Sequence, residues 1–122
     1  MPERDLIVGP KGQVVLWAPT KETLEKSFPG CPKAANADRV KVMRIANEYA
    51  LTGRFRKNDE KFKKIEGEKY LHEIKGHQIR MLGFFYGTKF VVVLCVIKKK
   101  NKHSREDLSK ANKLRESYHA QA

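Results

Sequence analysis

The stretch FVVVLCVI, residues 90–97, limits what this chain can fold into more than any other segment. An unbroken apolar run of this length, rich in β-branched residues, predicts a strand with both faces covered, hence a central strand of a sheet. The preceding segment GHQIRMLGFFYG has Ile79, Met81 and Phe84 or Phe85 as apolar points, so it predicts a partly buried neighbour. Gly87 and Thr88 between them fit the tight loop of a hairpin. KYLHEIK, ahead of these, reads as a third strand.

The remaining segments complete an α+β pattern. GQVVLWAP predicts a short strand stopped by Pro19. TKETLEKSF fits a short helix with Thr20 as N-cap, and FPGCPK is a turn segment. A longer helix is expected from Asn36 or Asp38 to Gly53, with Val40, Met43, Ala46 and Ala50 on its apolar face and Val42, Ile45 and Tyr49 widening the stripe. RFRKNDEKFKKIEGEK is a charged connection. SREDLSKANKLRESY predicts a last helix, with Ser104 and Asp107 near its cap and Leu108, Ala111, Leu114 and Tyr118 as its stripe. Trp17 and Phe62 read as core or core-edge residues. The expected order is β-α-α-β-β-β-α: a small antiparallel-rich sheet packed against helices, in one domain over residues 1–122, with residues 1–11 as a loose lead-in.

Charge supplies the functional clue. Lys and Arg number 26 against 14 Asp and Glu, a net +12, which favours an anionic partner such as nucleic acid or an acidic protein. Residues 61–122 hold 15 of the basic and 6 of the acidic residues, so the anion-facing surface should come from the second half. No apolar stretch is long enough for a membrane span. MPERDLIVGPKG lacks the apolar core of a secretion signal, and Cys31 and Cys95 have no metal-ligand spacing; a reducing cytoplasm is the expected compartment.

The densest charge follows the central strand directly: Lys98, Lys99, Lys100 and Lys102, then His103 and Arg105 at the start of the last helix. Alternation along a strand lets at most two of the three adjacent lysines share a face. A helix N-terminus beside them offers free N–H groups to an anion. Two readings stay open: a phosphate cradle, or a solvated cap that protects a sheet edge. Arg80 lies in a half-buried strand, where an arginine is costly unless paired. It either contacts a phosphate or forms an ion pair with Glu73 on the neighbouring strand. His77 and Tyr86 bracket the same strand and suit proton transfer and base stacking, or a turn and a plain strand aromatic. There is no acidic metal cluster, zinc spacing, phosphate-binding loop or nucleophile elbow, so no metal or cofactor is expected. Metal-free cleavage restricts a nuclease to RNA, whose 2′-hydroxyl is its own nucleophile. A lysine titrates near ~10.4 when isolated, and crowding by other cations lowers that value toward use as a base.

LHEIK at 71–75, QIRML at 78–82, FVVVLCVI at 90–97, KKKNK at 98–102 and the helix SREDLSKANKLRESY together resemble the RelE/HigB superfamily of toxins, in the branch described as phage-derived. The likeness is close over the second half and loose over the whole chain. It implies the toxin of a type II toxin–antitoxin module: a metal-independent endoribonuclease (an mRNA interferase) that enters the ribosomal A site, cleaves mRNA and inhibits translation, with a cognate antitoxin as partner. It also implies that Arg80 holds the scissile phosphate and that Lys98, Lys99, Lys100 and Lys102 stabilise the transition state and move protons. Lys75, His77, Tyr86, His103 and Arg105 would contact RNA. Lys75 stands where the family usually has arginine, which replaces a bidentate fork by a point charge. Ile97 stands where it usually has phenylalanine. The related ParE toxins share the fold but inhibit DNA gyrase, and a basic nucleic-acid-binding protein without chemistry is a third reading.

Overall fold

The computed structural model describes residues 3–18, 36–55, 61–97 and 103–121. In chain order these form β1 (Glu3–Val8), β2 (Gln13–Trp17), α1 (Asn36–Thr52), β3 (Phe62–Lys64), β4 (His72–Gly76), β5 (Ile79–Tyr86), β6 (Lys89–Ile97) and α2 (Arg105–Gln121). The helix expected over TKETLEKSF, the FPGCPK turn and Cys31 lie outside the described residues, as do Lys98, Lys99, Lys100 and Lys102.

One six-stranded mixed sheet runs in the order β1-β2-β6-β5-β4-β3. β2 and β6 are parallel, and every other neighbouring pair is antiparallel. The long apolar run thus becomes an inner strand, as its composition requires. Val92 and Cys95 of β6 join Val42, Ala46 and Tyr49 of α1 in one core, while Val91, Val93 and Leu94 join Ala111, Leu114 and Tyr118 of α2 in the other. Two adjacent residues, Val93 and Leu94, serve the same face because β6 bulges there: Leu82 pairs with Leu94 and Gly83 with Val92. Each fully buried aliphatic or aromatic side chain in these layers contributes about 1.5–3 kcal/mol. No helix among the described residues is long and apolar enough to cross a membrane.

Three expectations need correction. Residues 3–8 are not a loose lead-in but the edge strand β1, paired with β2 and bulged between Asp5 and Ile7. Its charged residues are those an edge strand tolerates, and Leu6 and Ile7 pack against the α1-side core. The charged connection contains β3, antiparallel to β4 through Phe62↔Ile74. Val40 is 53% exposed rather than part of the helix stripe. The buried face of α1 is Val42, Ala46, Tyr49 and Ala50, and Val40 lies two residues, about 200°, away from Val42.

Tight joints fix the ends of the hairpins. Gly87 has φ of 60° in the two-residue β5–β6 loop, the left-handed conformation glycine adopts freely. At Gly76 a Cβ would lie 2.5 Å from the Asp38 carbonyl oxygen, so the end of β4 sits directly against the first turn of α1. The start of α2 is capped as expected: the Asp107 N–H donates to Ser104 Oγ at 3.1 Å.

Candidate functional site

At one end of the sheet, β4 finishes, β5 begins and β6 finishes. Lys75 pairs across the sheet with Arg80, Arg80 with Val96, and Ile79 with Ile97, the last described residue before the lysine run. Alternation along β4 and β5 turns Glu73, Lys75, Arg80 and Leu82 to the face that α2 covers. His103 and Arg105, at the start of α2, follow the lysine run in sequence. Five of the expected site residues, Lys75, His77, Arg80, His103 and Arg105, therefore belong to this end or to the helix start packed over it.

The centre of this end is an anion. Glu73 is fully buried, and its Oε2 accepts a hydrogen bond from His103 Nε2. The His103 side chain is itself only 4% exposed. His103 and Glu73 so form a buried hydrogen-bonded pair that joins the start of α2 to β4. Arg80 Nε lies 3.9 Å from Glu73 Oε1, too long for a hydrogen bond but close enough for an ion pair. The ion pair that stood as the structural alternative for Arg80 is therefore present. Arg80 also donates through Nη1 to the carbonyls of His77 and Ile79, the latter at 2.9 Å. Burial pushes the Arg80 guanidinium down from its usual range, while Glu73 and Asp38 draw it back up; it stays cationic at every ordinary pH.

His77 occupies the β4–β5 turn with φ of 60°. Its ring, 67% exposed, stands 3.8 Å from Asp38 Oδ1, and the next residue's amide, Gln78 N–H, donates to Asp38 Oδ2 at 3.4 Å. Asp38 so fastens the hairpin turn to α1. Arg105 is exposed in the first turn of α2.

Tyr86 is the exception. It is the last residue of β5, six positions from Arg80 and so about 20 Å away along the strand. Its ring packs edge-on to Tyr118 at 5.2 Å and beside His119 at 5.3 Å. Tyr118 is buried and donates its hydroxyl to Glu3 Oε1 at 2.7 Å, so neither tyrosine stands beside Arg80. Glu73 is the residue whose importance sequence reasoning undervalued. It was legible as an ion-pair partner for Arg80, but its bond to His103 joins residues thirty apart.

The chain matches no protein-family model and no curated protein.

Proposed function

We propose that this protein is a metal-independent endoribonuclease that acts on ribosome-bound mRNA, the toxin of a type II toxin–antitoxin module. The observation that carries the reading is the clustering of cationic and titratable side chains around one strand end. Lys75 and Arg80 are cross-strand partners, Ile97 beside them leads into four lysines, and His103 and Arg105 stand at the helix start that follows. The sequence likeness to the RelE/HigB toxins draws on the same segments.

In this reading the 2′-hydroxyl of one nucleotide attacks the adjacent phosphorus. A 2′,3′-cyclic phosphate forms, and the 5′-oxygen of the next nucleotide leaves. A base takes the 2′ proton and an acid returns one to the 5′-oxygen. Arg80, anchored by Glu73 and two carbonyls, sets the positive potential of the strand end, and the lysines stabilise charge on the phosphoryl oxygens. His103, hydrogen-bonded to Glu73, is the imidazole of this strand end. The toxin's net +12 suits an acidic antitoxin as its second partner.

One observation favours a second reading, a binder without chemistry such as a gyrase inhibitor or a basic nucleic-acid-binding protein. Arg80 and His103 both spend hydrogen-bonding capacity inside the protein. Translation of a defined mRNA in vitro, with 5′ ends mapped by primer extension, separates the readings. The nuclease gives cuts within A-site codons that require ribosomes. Intact mRNA, with inhibited supercoiling or salt-sensitive binding instead, establishes the binder.

A further inference from the structure

The opposite end of the sheet has a chemistry of its own. β4 begins at His72, paired with Gly83, so β5 runs on for three residues beyond its β4 partner. Between that overhang, the segment before β4 and the last turns of α2 lies an open cleft of about 410 Å³, within the size range of small-ligand sites. Phe84 and Phe85 line it from β5, Tyr70 and His72 from the β4 side, and Arg115 and His119 from α2. Two of these rings are unusually open to solvent for their size: Tyr70 is 47% exposed and Phe85 41%.

Cations stand over the rings. The Arg115 guanidinium lies 4.2 Å from the Tyr70 ring centre, and Lys69 Nζ lies 5.4 Å from it. Arg115 Nε is buried and has no hydrogen-bond partner among the described residues. Among the described residues no carboxylate lines the cleft, and nearby Glu68 accepts from Asn112 Nδ2 at 2.6 Å. His72 Nδ1 lies 3.2 Å from the Tyr70 carbonyl oxygen. Burial holds this imidazole below its usual range, helped by the Lys64 charge and opposed by that carbonyl. The neutral ring therefore donates through Nδ1 and keeps Nε2 as an acceptor.

Exposed rings, two cations and a neutral imidazole around one cleft match a ligand that is both flat and anionic. We propose that this cleft is a nucleotide-binding site, in which the base stacks on Tyr70 and Phe85 and the phosphate is held by Lys69 and Arg115. The nucleotide is either free or one unit of an RNA strand; the recognition chemistry is the same. The site lies about 17 Å along β5 from Arg80, and its existence does not depend on cleavage at the other end.

The test is a titration of the full chain with AMP, followed by the aromatic NMR signals and by calorimetry. The ring signals of Tyr70, His72, Phe85 and His119 should shift together and saturate. Tyr70→Leu should weaken binding by about 5- to 150-fold, the range for loss of one base–aromatic stack. Arg115→Gln should weaken it at least fivefold, and Lys113→Gln, an equal charge loss at an exposed position of α2, should not. Because the NMR readout uses the unaltered protein, a variant that misfolds does not remove the test. Absent shifts, shifts centred on Lys75 and Arg80, or an equal response to inorganic phosphate would each overturn the proposal. Binding of the trinucleotide ApApA at least tenfold tighter than AMP assigns the site to an RNA strand; equal binding assigns it to a free nucleotide.

Discussion

The two ends of β5 solve opposite problems with the same strand. At its start a buried carboxylate holds an arginine and a histidine; at its finish, rings pack on rings. Glu73, fully buried, stands opposite Leu82, and its partners Arg80 and His103 come from β5 and the segment leading into α2. Tyr86 instead meets Tyr118 and His119. A buried charge is stable only with its counter-charge in place, so Glu73, Arg80 and His103 depend on one another. At the second end the rings meet edge-on and a cleft lies open beside them.

The contrast breaks most readily at Glu73. Glu73→Ala leaves Arg80 and His103 buried against no anion and should cost about 3–5 kcal/mol of stability in urea unfolding; a loss below about 1 kcal/mol would mean the cluster is not held by charge. Gly83 lies between the two ends. A Cβ there would fall 2.3 Å from the Val91 carbonyl oxygen and 2.9 Å from the Phe90 ring. Backbone cannot yield easily, and Gly83→Ala should destabilise by about 3 kcal/mol, the upper part of the overpacking range.

At the aromatic end the effects shrink. Tyr118→Phe removes the bond to the Glu3 carboxylate and should cost about 1.5 kcal/mol. Burial raises the Glu3 pKa, but the bonds from Tyr118 and Lys89 and the Lys89 charge outweigh it and leave the group below its usual 4.5. A depressed folded-state pKa adds stability above the unfolded value, and that stability is lost as pH falls through the folded one. The cost of Tyr118→Phe should therefore shrink as pH drops below about 4.5; a cost that is constant with pH would show that the bond does not depend on the carboxylate's charge. Tyr86→Ala should be the mildest change, about 0.5–1 kcal/mol by thermal unfolding from lost ring contacts.

Most of this fold was legible because its signals are local. The unbroken run to Ile97 revealed β6 as an inner strand, the stripe from Leu108 to Tyr118 revealed the buried side of α2, and Gly87 marked its hairpin. The edges were not legible. β1 and β3 are short and charged, and they are strands because β2 and β4 offer them open hydrogen-bonding groups, which is a tertiary fact. Arg80 was recognisable as a candidate site residue from its half-buried strand and His103 from the basic segment after the last strand, while Lys75 was singled out only by the family resemblance. The aromatic cleft was not, since Tyr70, His72, Phe85 and Arg115 meet only after β4, β5 and α2 have packed, and no spacing in the sequence links them.

We propose that the charged end of the sheet carries the chemistry. The most direct test is the single-turnover cleavage rate of ribosome-bound mRNA by the full chain and by Lys75→Ala, Lys99→Ala and Lys113→Ala, each of which removes one positive charge. Loss of a positioned proton-transfer or charge-stabilising group should slow cleavage by about a hundredfold or more. A drop of that size is expected for Lys99→Ala, a smaller one for Lys75→Ala and no change for Lys113→Ala on the exposed side of α2. Equal rates for all three variants, or equal slowing by all three, would contradict it: the strand end would then contribute only bulk charge.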